Sequence, residues 1–371
     1  MKILIAAGGT GGHISPGLAV AEKWSAEMGE VLFIGGRGKV EKELITGSGY
    51  ELHKISASPI PRSFSRNLFY GLAGNIKAFF ESLKILRAFS PDIVLGTGGY
   101  VSGMPVLAAS LMGIPTVIHE QNSYPGLANR MLSCRADGIA VSYESSDRHF
   151  PDKSQDKIYH TGNPIRSSLT QIQRGEARAK LSVDSEAFMV VVMGGSQGSR
   201  KINQIITRAY RKLTSFEGFF AYHITGASNY QKVIDLAEKQ LDQDKLDKIE
   251  FTSFCEHISY PLSAADLFIG RAGATTLAEI TACGLPAVLI PYPHAAAGHQ
   301  RKNADVLAQA GAAEMLKEDD LSSEKLNRMV VSLYKSPERL EKMRKASFEL
   351  SQPEAGRKLY ELLLKLAREA K

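Results

Sequence analysis

The sequence predicts an α/β protein made of two Rossmann-like parallel-sheet domains. Short apolar runs alternate with helical patterns along all 371 residues. The runs are nearly continuous in apolar residues, as strands are when helices cover both faces of a parallel sheet. A strand, a Gly-Gly-x-x-Gly turn and a helix also occur twice, at "KILIAAGGTGGH" and "VVVMGGSQGS", about half a chain length apart.

In the first half the strands are expected at "KILIAA", "VLFIG", "DIVLG", "PTVIHE" and "GIAVS"; in the second at "FMVVVMG", "FFAYHI", "IEFTS", "DLFIG" and "PAVLIP". Each is rich in Val, Ile or Phe and bounded by Gly, Pro or Asp. A chain of this length holds two ordinary domains, placed at residues 1–163 and 164–340 with a boundary near "HTGNPIRSS". The last segment, residues 341–371, reads as helices; "EAGRKLYELLLKLAREAK" carries Leu at i, i+3 and i+4 and is expected to pack back on the first domain.

Composition narrows the function. An apolar fraction of 44% supports large buried cores, and a net charge of +6 favours anionic partners: nucleic acid, phosphorylated ligands or an anionic membrane surface. Cys134, Cys255 and Cys283 are far apart, which argues against a metal cluster or a disulfide framework and for a reducing compartment. The apolar start stops at Gly8 and Gly9, too early for a signal peptide. "VLAASLMGIPTVI" is broken by Gly113 and Pro115 and is shorter than the ~20 residues of a membrane span. A cytosolic chain that crosses no membrane is expected.

A glycine-rich strand-to-helix turn sets backbone N–H groups beside the positive end of a helix dipole, where phosphate binds. "GGTGGH" is not a P-loop, because no Lys-Ser or Lys-Thr follows it, and it misses the Gly-x-Gly-x-x-Gly dinucleotide pattern. "GRGK" follows the second strand where a ribose-binding carboxylate belongs, so NAD fits poorly. A bare tight turn remains the plain alternative for either loop. In "DLFIGRAGATTLAE" the strand ends at Gly270 and a helix is expected from near Thr276, with Thr275 and Thr276 capping it and N–H groups left for a diphosphate. Glu279 then accepts from ribose hydroxyls, or closes a capping box at N3. The pair Asp242 and Asp244 lies in a charged stretch and reads as a solvated helix end rather than a metal–nucleotide site.

Seven stretches in fixed order carry a resemblance: "GGTGGHISP", "GTGGYVSG", "HEQNSYPGLAN", "GNPIR", "GGSQGS", "RAGATTLAE" and "HQRKNA". Together they resemble the MurG family of glycosyltransferase family 28, over nearly the whole chain. The resemblance implies the GT-B architecture, two Rossmann-like domains facing a cleft. The implied reaction is inverting transfer of GlcNAc from UDP-GlcNAc to the MurNAc 4-hydroxyl of undecaprenyl-linked lipid I, giving lipid II for peptidoglycan. It further implies a peripheral position on the cytoplasmic face of the inner membrane, no nucleic acid, cell-wall synthesis proteins as potential partners, and no required cofactor. A divalent cation is not indicated by the sequence.

The same resemblance distributes roles. Ala274, Thr275 and Thr276 meet the diphosphate and Glu279 the ribose; Arg166 and Ser196 also contact the donor. Gln300 and Asn122 bond the GlcNAc, Phe254 and Cys255 clamp the uracil through the Cys255 backbone, and Thr10, Gly11 and Gly12 line the cleft from the first domain. Tyr100 contacts acceptor, and Leu277, Ala278, His299 and Asn129 complete the expected substrate-binding set. His13 is the leading base, its imidazole titrating near working pH; it can equally donate to a phosphate, or only orient its loop. His119 and Glu120 are rival bases at the end of "PTVI". Cys255 departs from the branched aliphatic residue expected there, and "PHAAAGHQ" lacks the acidic residues expected before His299 and Gln300.

A basic amphipathic stretch, "PRSFSRNLFYGLAGNIKAFFESLKILRAF", offers Arg62, Arg66, Lys77, Lys84 and Arg87 against Glu81, interleaved with Leu68, Phe69, Leu72, Ile76, Phe79, Phe80 and Leu83. It suits an anionic leaflet, or a helix whose apolar side is core. Alternatives to the main reading are a diacylglycerol glycosyltransferase, a UDP-GlcNAc 2-epimerase, or a non-catalytic nucleotide-sugar binder.

Overall fold

The computed structural model describes residues 1–59 and 66–370. The chain forms two compact units, Met1–Arg166 with Pro353–Lys371, and Ser167–Gln352.

The first unit is a seven-stranded parallel sheet. Its strands are β1 (Ile3–Ala6), β2 (Val31–Gly35), β3 (Glu51–Lys54), β4 (Ile93–Gly96), β5 (Thr116–Glu120), β6 (Gly138–Val141) and β7 (Ile158–His160), in the order β3-β2-β1-β4-β5-β6-β7. β1 is central: Ile3 to Ala6 pair in register with Val31 to Ile34 on one side and Ile93 to Gly96 on the other. Its residues point alternately to two cores. Ile3 and Ile5 join Ile14, Leu18 and Trp24 of the helix Gly11–Glu27, whereas Leu4 joins Ile34, Val94, Leu86 and Val106 on the opposite face.

The first of these cores is completed from the far end of the chain. Helix Ala355–Glu369 buries Leu359, Tyr360, Leu362, Leu363 and Ala367 there, with Tyr360 edge-on to Trp24 at 5.8 Å between ring centroids. Each such buried leucine stabilises the unit by about 1.5–3 kcal/mol.

The second unit is a six-stranded parallel sheet. Its strands are β8 (Phe188–Met193), β9 (Phe219–Ile224), β10 (Ile249–Thr252), β11 (Leu267–Gly270), β12 (Ala287–Leu289) and β13 (Ala313–Met315), in the order β10-β9-β8-β11-β12-β13. Val190, Val192, Ile206, Tyr210, Ile269, Val288 and Leu333 centre its main core. Helix Pro337–Glu349, which the sequence grouped with the C-terminal segment, packs on helices Ala274–Ala282 and Ser323–Tyr334 of this unit. The chain enters the first unit again only at Pro353.

In each sheet the strand order reverses at one point, between β1 and β4 and between β8 and β11. Loops leaving the carboxyl ends of such a strand pair diverge to opposite faces, and the gap between them is where open α/β sheets bind ligands. The basic stretch predicted from the sequence forms helix Arg66–Phe89; Arg62 lies outside the described residues. No described helix is long and apolar enough to cross a membrane.

Candidate active site

At the β1/β4 reversal of the first unit, the loop after β1 starts helix Gly11–Glu27, and Gly98 precedes helix Gly99–Leu111 after β4. Thr10 is the N-cap of its helix, yet its hydroxyl makes no cap bond and meets His13 Nδ1 at 3.0 Å instead. Thr97 Oγ1 donates to the His13 carbonyl at 2.6 Å. The imidazole lies against a glycine pair: a Cβ on Gly98 would stand 3.1 Å from His13 Cδ2, and one on Gly99 3.2 Å from Nδ1. Both glycines have positive φ, 89° and 75°, which favours glycine there. Thr10 and Gly12 are exposed and Gly11 is buried.

Glu41 enters this site unannounced by the sequence. Its buried carboxylate accepts the Gly9 N–H at 2.9 Å, so an anion is already seated against the first glycine loop. Tyr100 covers Gly9; burial, and then the charge of Glu41, hold its phenol above the ordinary value and keep it protonated.

The end of β5 supplies His119 and Glu120, both buried. His119 Nε2 bonds the Gly162 carbonyl at 3.0 Å and Nδ1 meets Gln121 Nε2 at 3.0 Å. The amide is a donor, so Nδ1 is the accepting nitrogen and the ring proton on Nε2 goes to Gly162. Burial, reinforced by the neighbouring His13 and opposed by the Gly162 bond, pushes the His119 pKa down to about 4. Glu120 Oε1 accepts from Asn122 N and Nδ2, both at 3.0 Å. Its Oε2 accepts from Gly126 N at 2.9 Å and from Asn129 Nδ2 at 2.8 Å. The Glu120 carboxylate thus ties the 122–129 loop and the His119 ring bridges Gly162 and Gln121, while His13 is the half-buried imidazole at the strand reversal.

The second unit repeats the plan at β8/β11. Gly194, Gly195 and Gly198 turn the chain into helix Arg200–Leu213; a Cβ on Gly198 would stand 1.9 Å from the Thr225 carbonyl oxygen. Ser199 caps this helix, its Oγ accepting the Ile202 N–H, and Ser196 is exposed on the loop.

The helix after β11 differs from the sequence expectation. It starts at Ala274, with Gly273 as N-cap and no side-chain cap bond. Thr275 and Thr276 thus occupy the first turn and do not cap it. Glu279 sits three residues too deep to close a capping box; it is 7% exposed on the same helix. Ala274, Thr275 and Leu277 are buried, Thr276 and Ala278 half-buried. An uncapped helix N-terminus at a strand reversal is a site for anionic oxygen.

Phe254, Cys255, His299 and Gln300 also follow strands of the second sheet. Phe254 and Cys255 come after β10; Phe254 is 52% exposed, and its carbonyl accepts from Thr252 Oγ1 at 2.7 Å. The Cys255 thiol takes the Tyr222 hydroxyl at 3.7 Å. His299 and Gln300 open helix His299–Gln309 after β12; His299 Nδ1 bonds the Ala296 carbonyl, and Gln300 Oε1 accepts the Tyr292 N–H at 2.9 Å. Arg166 is half-buried at the last residue of the first unit. Asp242 caps a short helix at Gln243–Leu246, accepting the Lys245 N–H. Among the described residues no group of three or more His, Cys, Asp or Glu could hold a metal ion.

Residues 3–141 match the glycosyltransferase family 28 N-terminal domain and residues 189–359 the glycosyltransferase family 28 C-terminal domain. A protein of Halothermothrix orenii named UDP-N-acetylglucosamine–N-acetylmuramyl-(pentapeptide) pyrophosphoryl-undecaprenol N-acetylglucosamine transferase is 42% identical, over 98% of each chain. A protein of the same name from Caldanaerobacter subterraneus is 39% identical over 98% of this chain and 99% of its own. Among solved structures, Acinetobacter baumannii MurG superposes with a TM-score of 0.73 at 27% identity, covering 98% of this chain and 99% of its own. A UDP-GlcNAc 2-epimerase of Neisseria meningitidis bound to UDP-GlcNAc reaches 0.69 at 16% identity, covering 98% and 100%, a likeness of fold alone.

Proposed function

The chain belongs to glycosyltransferase family 28 and is a UDP-GlcNAc-dependent N-acetylglucosaminyltransferase of the MurG type; on that premise we propose how its residues serve the transfer. The reaction moves GlcNAc from UDP-GlcNAc to the MurNAc of lipid I and yields lipid II. The epimerase and the lipid glycosyltransferase are set aside because full-length relatives at 42% and 39% identity carry the name of the pyrophosphoryl-undecaprenol N-acetylglucosamine transferase.

The second unit holds the donor. The uncapped first turn at Ala274, Thr275 and Thr276 carries this reading, because its N–H groups and dipole favour the diphosphate most when charge grows on the departing UDP. Glu279 accepts from the ribose, the Cys255 backbone and Phe254 frame the uracil, and Gln300 meets the sugar. Ser196 and Arg166 add phosphate contacts, and Leu277, Ala278 and His299 shape the pocket wall.

The first unit handles the acceptor. His13 takes the proton from the attacking hydroxyl. In the tautomer whose Nδ1–H donates to Thr10 Oγ1, the basic lone pair belongs to Nε2. Thr10, Gly11, Gly12, Tyr100 and Asn129 form the acceptor side, held by His119 and Glu120, and Asn122 reaches the GlcNAc.

Helix Arg66–Phe89 brings the enzyme to its lipid. Leu72, Ile76 and Phe80 are exposed at i, i+4 and i+8, with Lys77, Lys84 and Arg87 also exposed. Glu81, the acid of this helix, turns inward to the Ser56 N–H and hydroxyl. A basic stripe with an apolar crest suits an anionic bilayer surface, where each cation contributes about 1 kcal/mol. The test of the whole reading is incubation with UDP-GlcNAc, with and without a lipid I analogue, following UDP release and disaccharide formation. Acceptor-dependent release supports it; conversion of UDP-GlcNAc without acceptor overturns it.

A further inference from the structure

Arg271 opens the glycine turn after β11, and it is a guanidinium 8% exposed at the carboxyl edge of the second sheet. We infer that Arg271 is the positioning residue that fixes the donor-binding loops of this unit in one register; the inference rests on the donor reading above.

The geometry is that of a four-way tie. Arg271 N–H donates to the Met193 carbonyl at the end of β8, at 3.3 Å. Nη2 donates to Ser199 Oγ at 3.0 Å, on the residue that caps helix Arg200–Leu213. Nη1 donates to the Ile290 carbonyl just past β12, at 3.1 Å. Nη2 also pairs with Glu318, in the segment after β13. The group lies over the Tyr292 ring at 5.2 Å. It thus reaches the ends of β8, β11, β12 and β13, four strands consecutive in the sheet.

Two loops named in the donor reading hang from this tie. Ser199 ends the glycine loop that carries Ser196. Tyr292, under the guanidinium, donates its N–H to Gln300 Oε1, so the orientation of the Gln300 amide is set from the same centre. Both terminal nitrogens of Arg271 are directed at protein acceptors, so it acts on the donor through these loops. A planar fork suits the task, since its donors leave in fixed directions; a lysine ammonium is a single point on a flexible stem and cannot span Ser199 and Ile290 together.

The experiment is steady-state kinetics on Arg271→Gln, Arg271→Lys and Ser199→Ala, varying UDP-GlcNAc and a lipid I analogue separately, with calorimetric titration of UDP. Loss of positioning raises donor KM and UDP Kd by about ten- to a hundredfold in Arg271→Gln, leaves acceptor KM in place, and is not rescued by lysine. Ser199→Ala, which keeps the Glu318 pair intact, shifts donor KM in the same direction by a smaller factor. If Arg271→Gln fails to fold, Ser199→Ala decides. A folded variant with the parent's donor KM and UDP Kd, or a loss confined to acceptor KM, overturns the inference. Absence of UDP binding in the unsubstituted protein would instead bring down the donor reading.

Discussion

Two imidazoles stand close together at the first strand reversal with opposite assignments. His13→Ala is expected to lower turnover by about 10²–10⁴, the range of a general base, with UDP affinity kept; single-turnover kinetics and calorimetry on the same sample separate the two. His119 leaves its mark on stability. Its folded pKa is about 4 against about 6.5 in an unfolded chain. Between those values the unfolded chain binds the extra proton. The contribution is therefore complete above about pH 6.5 and is lost as pH falls towards 4, on the order of 3 kcal/mol. Urea unfolding of the first unit across that window should show the slope, and His119→Gln should flatten it. Glu120→Gln trades an acceptor for a donor facing Gly126 N and Asn129 Nδ2, and is expected to cost about 2–3 kcal/mol, read as a lower melting temperature of the first unit. The sequence could place His119 and Glu120 after a strand, but it does not show which lone pairs the fold consumes. Glu41 and Arg271 escaped for a related reason: each reaches its partners across the fold, and no local spacing records that.

At the scale of elements, the central strands were legible because burial on both faces demands unbroken apolar runs, as in β1 and β8. β3 ("ELHK"), β7 ("IYH") and β13 ("AEM") were not. They are edge strands of three or four residues, with polar side chains and partial exposure, and they pair through backbone groups that any sequence carries. The Ala274 helix was placed correctly in kind and wrongly in start, because two threonines looked like caps while Gly273 took that position. Glycine turns were read as phosphate sites, and packing adds a second reason for them. Gly198→Ala puts a methyl group against the Thr225 carbonyl at a φ of 74°. It is expected to destabilise the second unit by about 2–3 kcal/mol and to weaken UDP binding, both measurable by thermal unfolding with and without UDP.

For the molecule as a whole, the boundary of the second unit falls after helix Pro337–Glu349, and the last helix returns to the first unit. Deleting Pro353–Lys371 strips Leu359, Tyr360, Leu362 and Leu363 from the Trp24 core. Calorimetry should then show the first unit melting far lower, while UDP still protects the second. The same arrangement sets an order on biosynthesis. A ribosome releases residues 167–352 before the helix that closes the N-terminal core exists, so the unit made first is finished last. Until that helix has been made, the side of the sheet that carries Trp24 is only partly covered, and the nascent first unit depends on chaperones or on speed.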